Sequence, residues 1–202
     1  MIKKIVKPIR LNRYINMNFN SGYLELIIGP MYAGKTSKLL ELSTYFHKNS
    51  INCIALTHSD DVRYSIDKLS THDKNMISCF KYKNISSLIY NPEIKLDDTQ
   101  VILIDEGQFF SDLNLVLDLV DVYKKHVYVF GLDGDFNRKK FGGILDLVPH
   151  CDKITKLNSI CSKCKGKGLF SHRISDNKQQ VLIGASNEYI SLCRICYNNI
   201  KK

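Results

Sequence analysis

No apolar run in this chain of 202 residues approaches the roughly 18 residues that a membrane span requires. The purest stretches are as short as Val101-Ile102-Leu103-Ile104, and nothing near the N-terminus forms the apolar core of a secretory signal. A membrane partner is not expected, and the location read from the sequence is cytoplasmic. The low hydrophobicity of a disordered chain is missing as well: 44% of residues are hydrophobic and 24% charged, the balance of a globular protein. Repeats and low-complexity tracts are absent, and the length suits one core domain carrying at most a small appendage. Seven cysteines, an odd number, cannot all belong to a disulfide framework.

What charge there is lies unevenly. Lys and Arg exceed Asp and Glu by 29 to 20, a net +9, which taken alone suggests a nucleic-acid partner. Residues 1–20 hold five basic side chains and no acid, residues 161–202 eight basic and two acidic, and the large middle section sixteen basic and eighteen acidic. A non-specific nucleic-acid binder needs its cations on the working surface, because affinity there comes from counterion release at phosphates. The near-neutral middle argues against that partner.

Residues 1–21 have no acid and no sustained period, and read as a flexible basic extension; scarce Ser and the excess of Lys over Arg weigh against a mitochondrial presequence. From Tyr23 the chain alternates strand and helix. Strands are expected at Leu24–Ile28, Ile51–Thr57, Met76–Phe80, Val101–Ile104 and Val127–Leu132. Helical spacing joins Leu39, Leu42 and Phe46, then residues 85–90, then Leu113, Val116, Leu117 and Val120. Such alternation, with strands apolar at every position, implies a parallel sheet flanked by helices. Near residue 159 the pattern changes to short polar strands and paired cysteines. A core over 22–158 and a small lobe over 159–202 are expected, the lobe too small to hold together without a staple.

Gly29-Pro30-Met31-Tyr32-Ala33-Gly34-Lys35-Thr36 fits G-x-x-x-x-G-K-[ST] at every fixed position and follows an apolar strand into a helix, the context that a P-loop requires. Backbone N–H groups of such a loop turn toward phosphate oxygens, and the helix N-terminus adds partial positive charge. Lys35 would reach the β and γ phosphates, the Thr36 hydroxyl would ligate Mg²⁺, and Ser37 supplies a second hydroxyl. Some seventy residues later, the buried-type strand Val101–Ile104 runs into Asp105 and Glu106. Ligands of open parallel sheets gather at the carboxyl ends of strands. Asp105 therefore suits the Mg²⁺-holding role, and Glu106, aimed elsewhere by strand alternation, is free to take a proton from an attacking oxygen.

Cys161-x-x-Cys164 and Cys193-x-x-Cys196 offer four thiolates, the closed set of a structural zinc site. Disulfides are disfavoured in a reducing compartment. Cys53, Cys79 and Cys151 read as small apolar residues near packing contacts.

G-P-M-Y-A-G-K-T, D-E-G-Q-F-F at 105–110, L-D-G-D-F at 132–136, F-G at 141–142 and C-R-I-C-Y at 193–197 together resemble the type II thymidine kinases of animal cytosol, bacteria and large DNA viruses. The likeness runs from about Tyr23 to Tyr197. It implies an α/β P-loop NTPase core and a zinc-binding lobe with a substrate lid, and ATP-dependent phosphorylation of thymidine and deoxyuridine for nucleotide salvage. By the resemblance Glu106 is the general base, and Asp61 and Arg63 match an Asp-x-Arg whose arginine, with Lys35, assists at the phosphoryl group. Met31, Phe109, Leu132, Phe136, Phe141 and Tyr189 match an aromatic and apolar base pocket, and Leu182, Ile183 and Gly184 lie where loop backbone reads the base edge. Ser171 stands where members usually have Thr, and Lys140 where they often have Pro. A homotetramer inhibited by the end-product triphosphate is implied as well. The long tail of animal members has no counterpart after Cys196, so degradation through such a tail is not expected. The rival reading is a nucleic-acid-dependent P-loop ATPase with a zinc ribbon, which would be stimulated by DNA or RNA.

Overall fold

Strand alternation in the sequence becomes a sheet covered on both faces. The computed structural model describes residues 17–61, 68–70, 76–182 and 188–200. Strands β1 (Tyr23–Ile28), β2 (Cys53–His58), β3 (Lys68–Ser70), β4 (Met76–Tyr82), β5 (Val101–Ile104), β6 (His126–Gly131) and β7 (Lys153–Lys156) form one sheet in the order β3-β4-β2-β5-β6-β1-β7. All neighbours pair in parallel except β3, which runs antiparallel along the edge of β4.

Side chains alternate across a strand, and here they sort into two cores. Leu24, Leu26, Ile102, Ile104, Val127 and Val129 project to one face, against helix α3 (Val116–Asp121) and the short helix α2 (Ser86–Ile89). Ile27, Ala55, Val101, Leu103, Tyr128 and Phe130 project to the other, under helix α1 (Lys35–Lys48). Leu39, Leu42 and Phe46 of α1 are fully buried, as their spacing predicts. β5 and β6 are buried at every position, which accounts for their unbroken apolar runs.

Several boundaries shift for local reasons. The second strand starts at Cys53 rather than Ile51, because the Ile51 N–H closes the end of α1 on the Phe46 carbonyl at 3.0 Å and Ser50 takes a left-handed φ of 56°, as helix ends commonly require. The helical pattern from Leu113 begins as a 3-10 turn over Leu113–Leu115 before α3. Residues 17–21, within the expected extension, lie against the core: the Phe19 ring is 4.6 Å from that of His126, and His126 Nε2 meets the carbonyls of Asn18 and Ser21 at 3.1 and 3.2 Å.

After β7 the chain builds two small antiparallel pairs, β8 (Ser159–Ile160) with β9 (Lys167–Gly168) and β10 (Phe170–Arg173) with β11 (Tyr189–Leu192), and ends in helix α4 (Arg194–Ile200). Its buried cluster is Cys161, Leu192 and Tyr197, a core too small to stabilise the lobe unaided. No helix among the described residues is long and apolar enough to cross a membrane.

The start of α2 is held from a distance. Asp112 accepts hydrogen bonds from the Ile85 and Ser86 N–H groups at 2.8 and 3.0 Å, two of the donors that a helix start leaves without partners. Burial raises the Asp112 pKa, but those N–H groups outweigh it and hold the carboxyl below its ordinary 3.8. The stabilisation is therefore complete above that ordinary value and is lost as pH falls through the lowered one. Asp112→Asn is expected to lose about 1 kcal/mol near neutral pH. Urea unfolding should show that gap shrinking below about pH 4, and a gap independent of pH would contradict the assignment.

Candidate functional site

The P-loop follows β1 and the paired acids follow β5, with β6 between them. At the end of β6, Gly131 leaves room that no other residue could: a Cβ there would stand 2.5 Å from Gln108 Oε1 and 2.2 Å from Ile144 Cδ1. The two ends meet where the Thr36 hydroxyl donates to Asp105 Oδ2 at 3.3 Å. Asp105 is fully buried, and its other oxygen accepts from the Glu106 N–H at 3.0 Å.

Within the loop, Tyr32 and Gly34 adopt left-handed φ angles of 62° and 82°. Gly34 precedes the first residue of α1, whose start has no side-chain cap, the arrangement in which an anion can accept from N–H groups of the first turn. Lys35 is buried, and its ammonium donates to the carbonyls of Gly29 and Pro30 at 3.2 and 2.8 Å.

Glu106 departs from the strand reasoning. β5 ends at Ile104, and Glu106 has a left-handed φ of 52°, so a turn rather than strand alternation aims its carboxylate. Gln108 holds it there: its Nε2 donates to Glu106 Oε2 and its Oε1 accepts from the Leu132 N–H at 3.0 Å. Gln108 lies on the 3-10 turn Gly107–Phe109, pressed by Gly142, where a Cβ would come within 2.1 Å of the Gln108 carbonyl oxygen.

These groups open on one cavity of about 340 Å³. Met31, Tyr32, Ala33, Gly34, Lys35, Thr36 and Ser37 form part of its wall, and Glu106, Asp61, Phe109, Leu132, Phe136, Phe141, Ser171, Leu182 and Tyr189 form much of the rest. Gly29, Pro30 and Asp105 stand outside the wall. Phe109 and Phe141 meet edge to face at 5.6 Å, whereas Phe110 turns into the core. Arg63, Ile183 and Gly184 lie outside the described residues. Sequence reasoning assigned no role to Gln108, Asp60, Asp135, Gln180 or Val181, which also line the cavity. Gln108 was within reach, since it belongs to the D-E-G-Q-F-F run.

The lobe grips the P-loop. The Met31 N–H donates to Ser171 Oγ at 2.9 Å, and the Ser191 hydroxyl donates to the Met31 carbonyl at 2.6 Å. Tyr197 adds a hydrogen bond to the Phe136 carbonyl at 2.7 Å. Behind this contact the Sγ atoms of Cys161, Cys164, Cys193 and Cys196 all lie within 4.8 Å of one another, and Cys164 and Cys193 are 3.6 Å apart. Thiolates around zinc at about 2.3 Å stand roughly 3.8 Å from each other, so the four residues fit that ion. Burial raises the Cys161 pKa, but backbone N–H groups of Cys164, Cys193 and Lys163 outweigh it and bring the thiol down to about 6. Hydrogen bonding to Cys193 holds Cys196 up at about 12.

Fold and site together define a P-loop protein whose phosphate loop opens on a cavity walled in part by aromatic rings. Residues 22–197 match the family model described as thymidine kinase. The thymidine kinase of Yaba monkey tumor virus is 38% identical over 184 residues, covering 91% of this chain and 99% of that protein. The sheeppox virus enzyme is 36% identical over 176 residues, 87% of this chain and 97% of its own. For the vaccinia virus enzyme the identity is 35% over 178 residues, 88% and 98% respectively. The chain belongs to the thymidine kinase family.

Zinc analysis of the purified protein is expected to give one ion per chain, and Cys164→Ser or Cys196→Ser to lose it and loosen the lobe, whose own core is minimal. Full activity at a zinc ratio near zero would contradict this.

Proposed function

We propose that this chain is an ATP-dependent thymidine kinase, transferring the γ-phosphoryl group of ATP to the 5′-hydroxyl of thymidine, and of deoxyuridine, in nucleotide salvage. The observation that supports the reading most is the single cavity whose wall combines Met31–Ser37 of the P-loop, the carboxylate of Glu106 and the rings of Phe109, Phe136, Phe141 and Tyr189. A phosphate donor and a flat, weakly polar acceptor thus find complementary surfaces in one enclosure.

In this reading Lys35 and the loop N–H groups hold the phosphates, and Arg63 assists at the transferred group. Thr36 and Asp105, hard oxygen ligands already in contact, suit Mg²⁺, which would neutralise phosphate charge during transfer. Glu106 takes the proton from the 5′-hydroxyl as its oxygen attacks the γ phosphorus and the bond to the bridging oxygen of ADP breaks. Most of the acceleration comes from holding the reactants in line and stabilising charge, with the base as a further contribution. The Gln108 amide fixes the Glu106 carboxylate for that role. The aromatic rings give a nucleobase a stacking surface, and the segment containing Leu182, Ile183 and Gly184 acts as the lid whose backbone reads the base edge. The zinc staples the lobe that carries this lid. Assembly as a homotetramer, inhibition by the end-product triphosphate and a cytoplasmic location complete the proposal.

Glu106→Gln is expected to bind ATP and thymidine nearly normally while turnover falls by about 10² or more, the usual range for loss of a general base. Equal turnover in the variant, measured at saturating substrates, would remove Glu106 from that role. Substrate choice gives an independent check. Thymine and uracil present the same acceptor, donor and acceptor along O2, N3 and O4, whereas cytosine has an amino donor in place of O4 and no proton on N3. Backbone groups cannot reverse their polarity. Deoxyuridine should be phosphorylated well and deoxycytidine at least ~10² less efficiently, because buried polar groups would be mispaired. Competition at matched concentrations measures this, and comparable turnover of deoxycytidine and thymidine would contradict the reading of the base edge by loop backbone.

A further inference from the structure

Behind the aromatic end of the cavity, and outside its wall, lies a buried cation. Arg173 closes β10 and is 4% exposed, and no carboxylate among the described residues stands within ion-pair distance of it. Carbonyl dipoles and π faces surround its charge instead. The guanidinium carbon is 3.9 Å from the centroid of the Phe136 ring and 5.1 Å from that of Tyr189. Nε donates to the Tyr189 hydroxyl oxygen at 3.1 Å, and Nη2 donates to the same atom. Nη1 donates to the carbonyls of Asn177, at 2.8 Å, and Gln179, and Nη2 to that of Gln180 at 3.2 Å. Tyr189 in turn donates its own proton to the Leu182 carbonyl at 3.1 Å.

This one side chain therefore fixes four pieces of the cavity wall. It touches Phe136 and Tyr189 directly, holds Gln180 by its carbonyl, and reaches Leu182 through Tyr189. Phe136 belongs to the core and the other three to the lobe, so Arg173 also joins the two across the pocket. A planar fork with five donors can satisfy several carbonyls and lie flat on a ring at once; an ammonium is a point charge and cannot do both. Cation–π attraction adds to the hold, and more strongly where water is excluded.

We propose that Arg173 is the positioning residue that sets nucleoside affinity, by ordering the segment 177–182 and the rings of Phe136 and Tyr189 before the nucleoside enters. This rests on the kinase reading above. Wall elements ordered in advance spare the bound complex the entropy of ordering them, so the residue acts on nucleoside binding and leaves the P-loop half of the cavity alone.

Arg173→Lys keeps the charge and removes the fork. Steady-state kinetics should show the thymidine KM raised at least ~10-fold, the ATP KM within about twofold of wild type, and an unchanged zinc content. Hydrogen exchange of the amides of 177–182, measured without any substrate, should be faster in the variant. An unchanged thymidine KM, a parallel rise in both KM values, or unaltered exchange in 177–182 would overturn the role of Arg173. Should the wild-type chain fail to phosphorylate thymidine, the kinase reading falls, and the exchange measurement alone then upholds or overturns the ordering role.

Discussion

The carboxyl end of β6 is the crowded point on which the site depends. Gly131 has no room for a side chain because Gln108 and Ile144 already occupy the space that a Cβ would take. Gln108 uses that room to bridge the Leu132 N–H and the Glu106 carboxylate, tying the end of β5 to the end of β6. With β1 on the other side of β6, the P-loop and Glu106 face one cavity, and Asp105 is buried behind them against the Thr36 hydroxyl. A larger residue at Gly131 or Gly142 would displace Gln108, and the carboxylate would lose the donor that orients it. Buried amides with both ends satisfied are rigid for the same reason that they are costly to disturb.

A second dependence runs between lobe and core. Among the described residues the lobe's own buried cluster is Cys161, Leu192 and Tyr197, yet its hairpin clamps both backbone groups of Met31 and its helix reaches the Phe136 carbonyl. Whatever fixes the four thiols thus also fixes the approach of Ser171 and Ser191 to the phosphate loop. None of the four cysteines lines the cavity, but the lobe that they belong to is joined to its wall by hydrogen bonds.

Much of this was legible in advance. Apolar runs and their period gave five of the seven sheet strands and α1 to within a residue or two, because strands buried on both faces are mostly apolar; the edge strands β3 and β7, with their polar residues, carry no such run. The P-loop spacing and the four cysteines were equally plain, since each depends on residue types at fixed local intervals. The direction of Glu106 was not: strand alternation was the natural assumption, and a left-handed turn replaces it. Ile51, whose apolar run reads as strand, instead gives its N–H to the end of a helix.

By itself the sequence determined the αβ alternation, the phosphate-loop motif, the paired acids and the two cysteine pairs, all of which are encoded by short-range spacing. Only the tertiary structure decided that Gln108 orients Glu106, that Ser171 spends its hydroxyl on Met31, and that Arg173 unites Phe136, Tyr189 and residues 177–182. Those contacts join residues brought together by the closure of the lobe on the sheet, or by a turn that follows no regular period. A polar side chain read in sequence shows what it can donate or accept, and the fold alone determines which partner stands within reach.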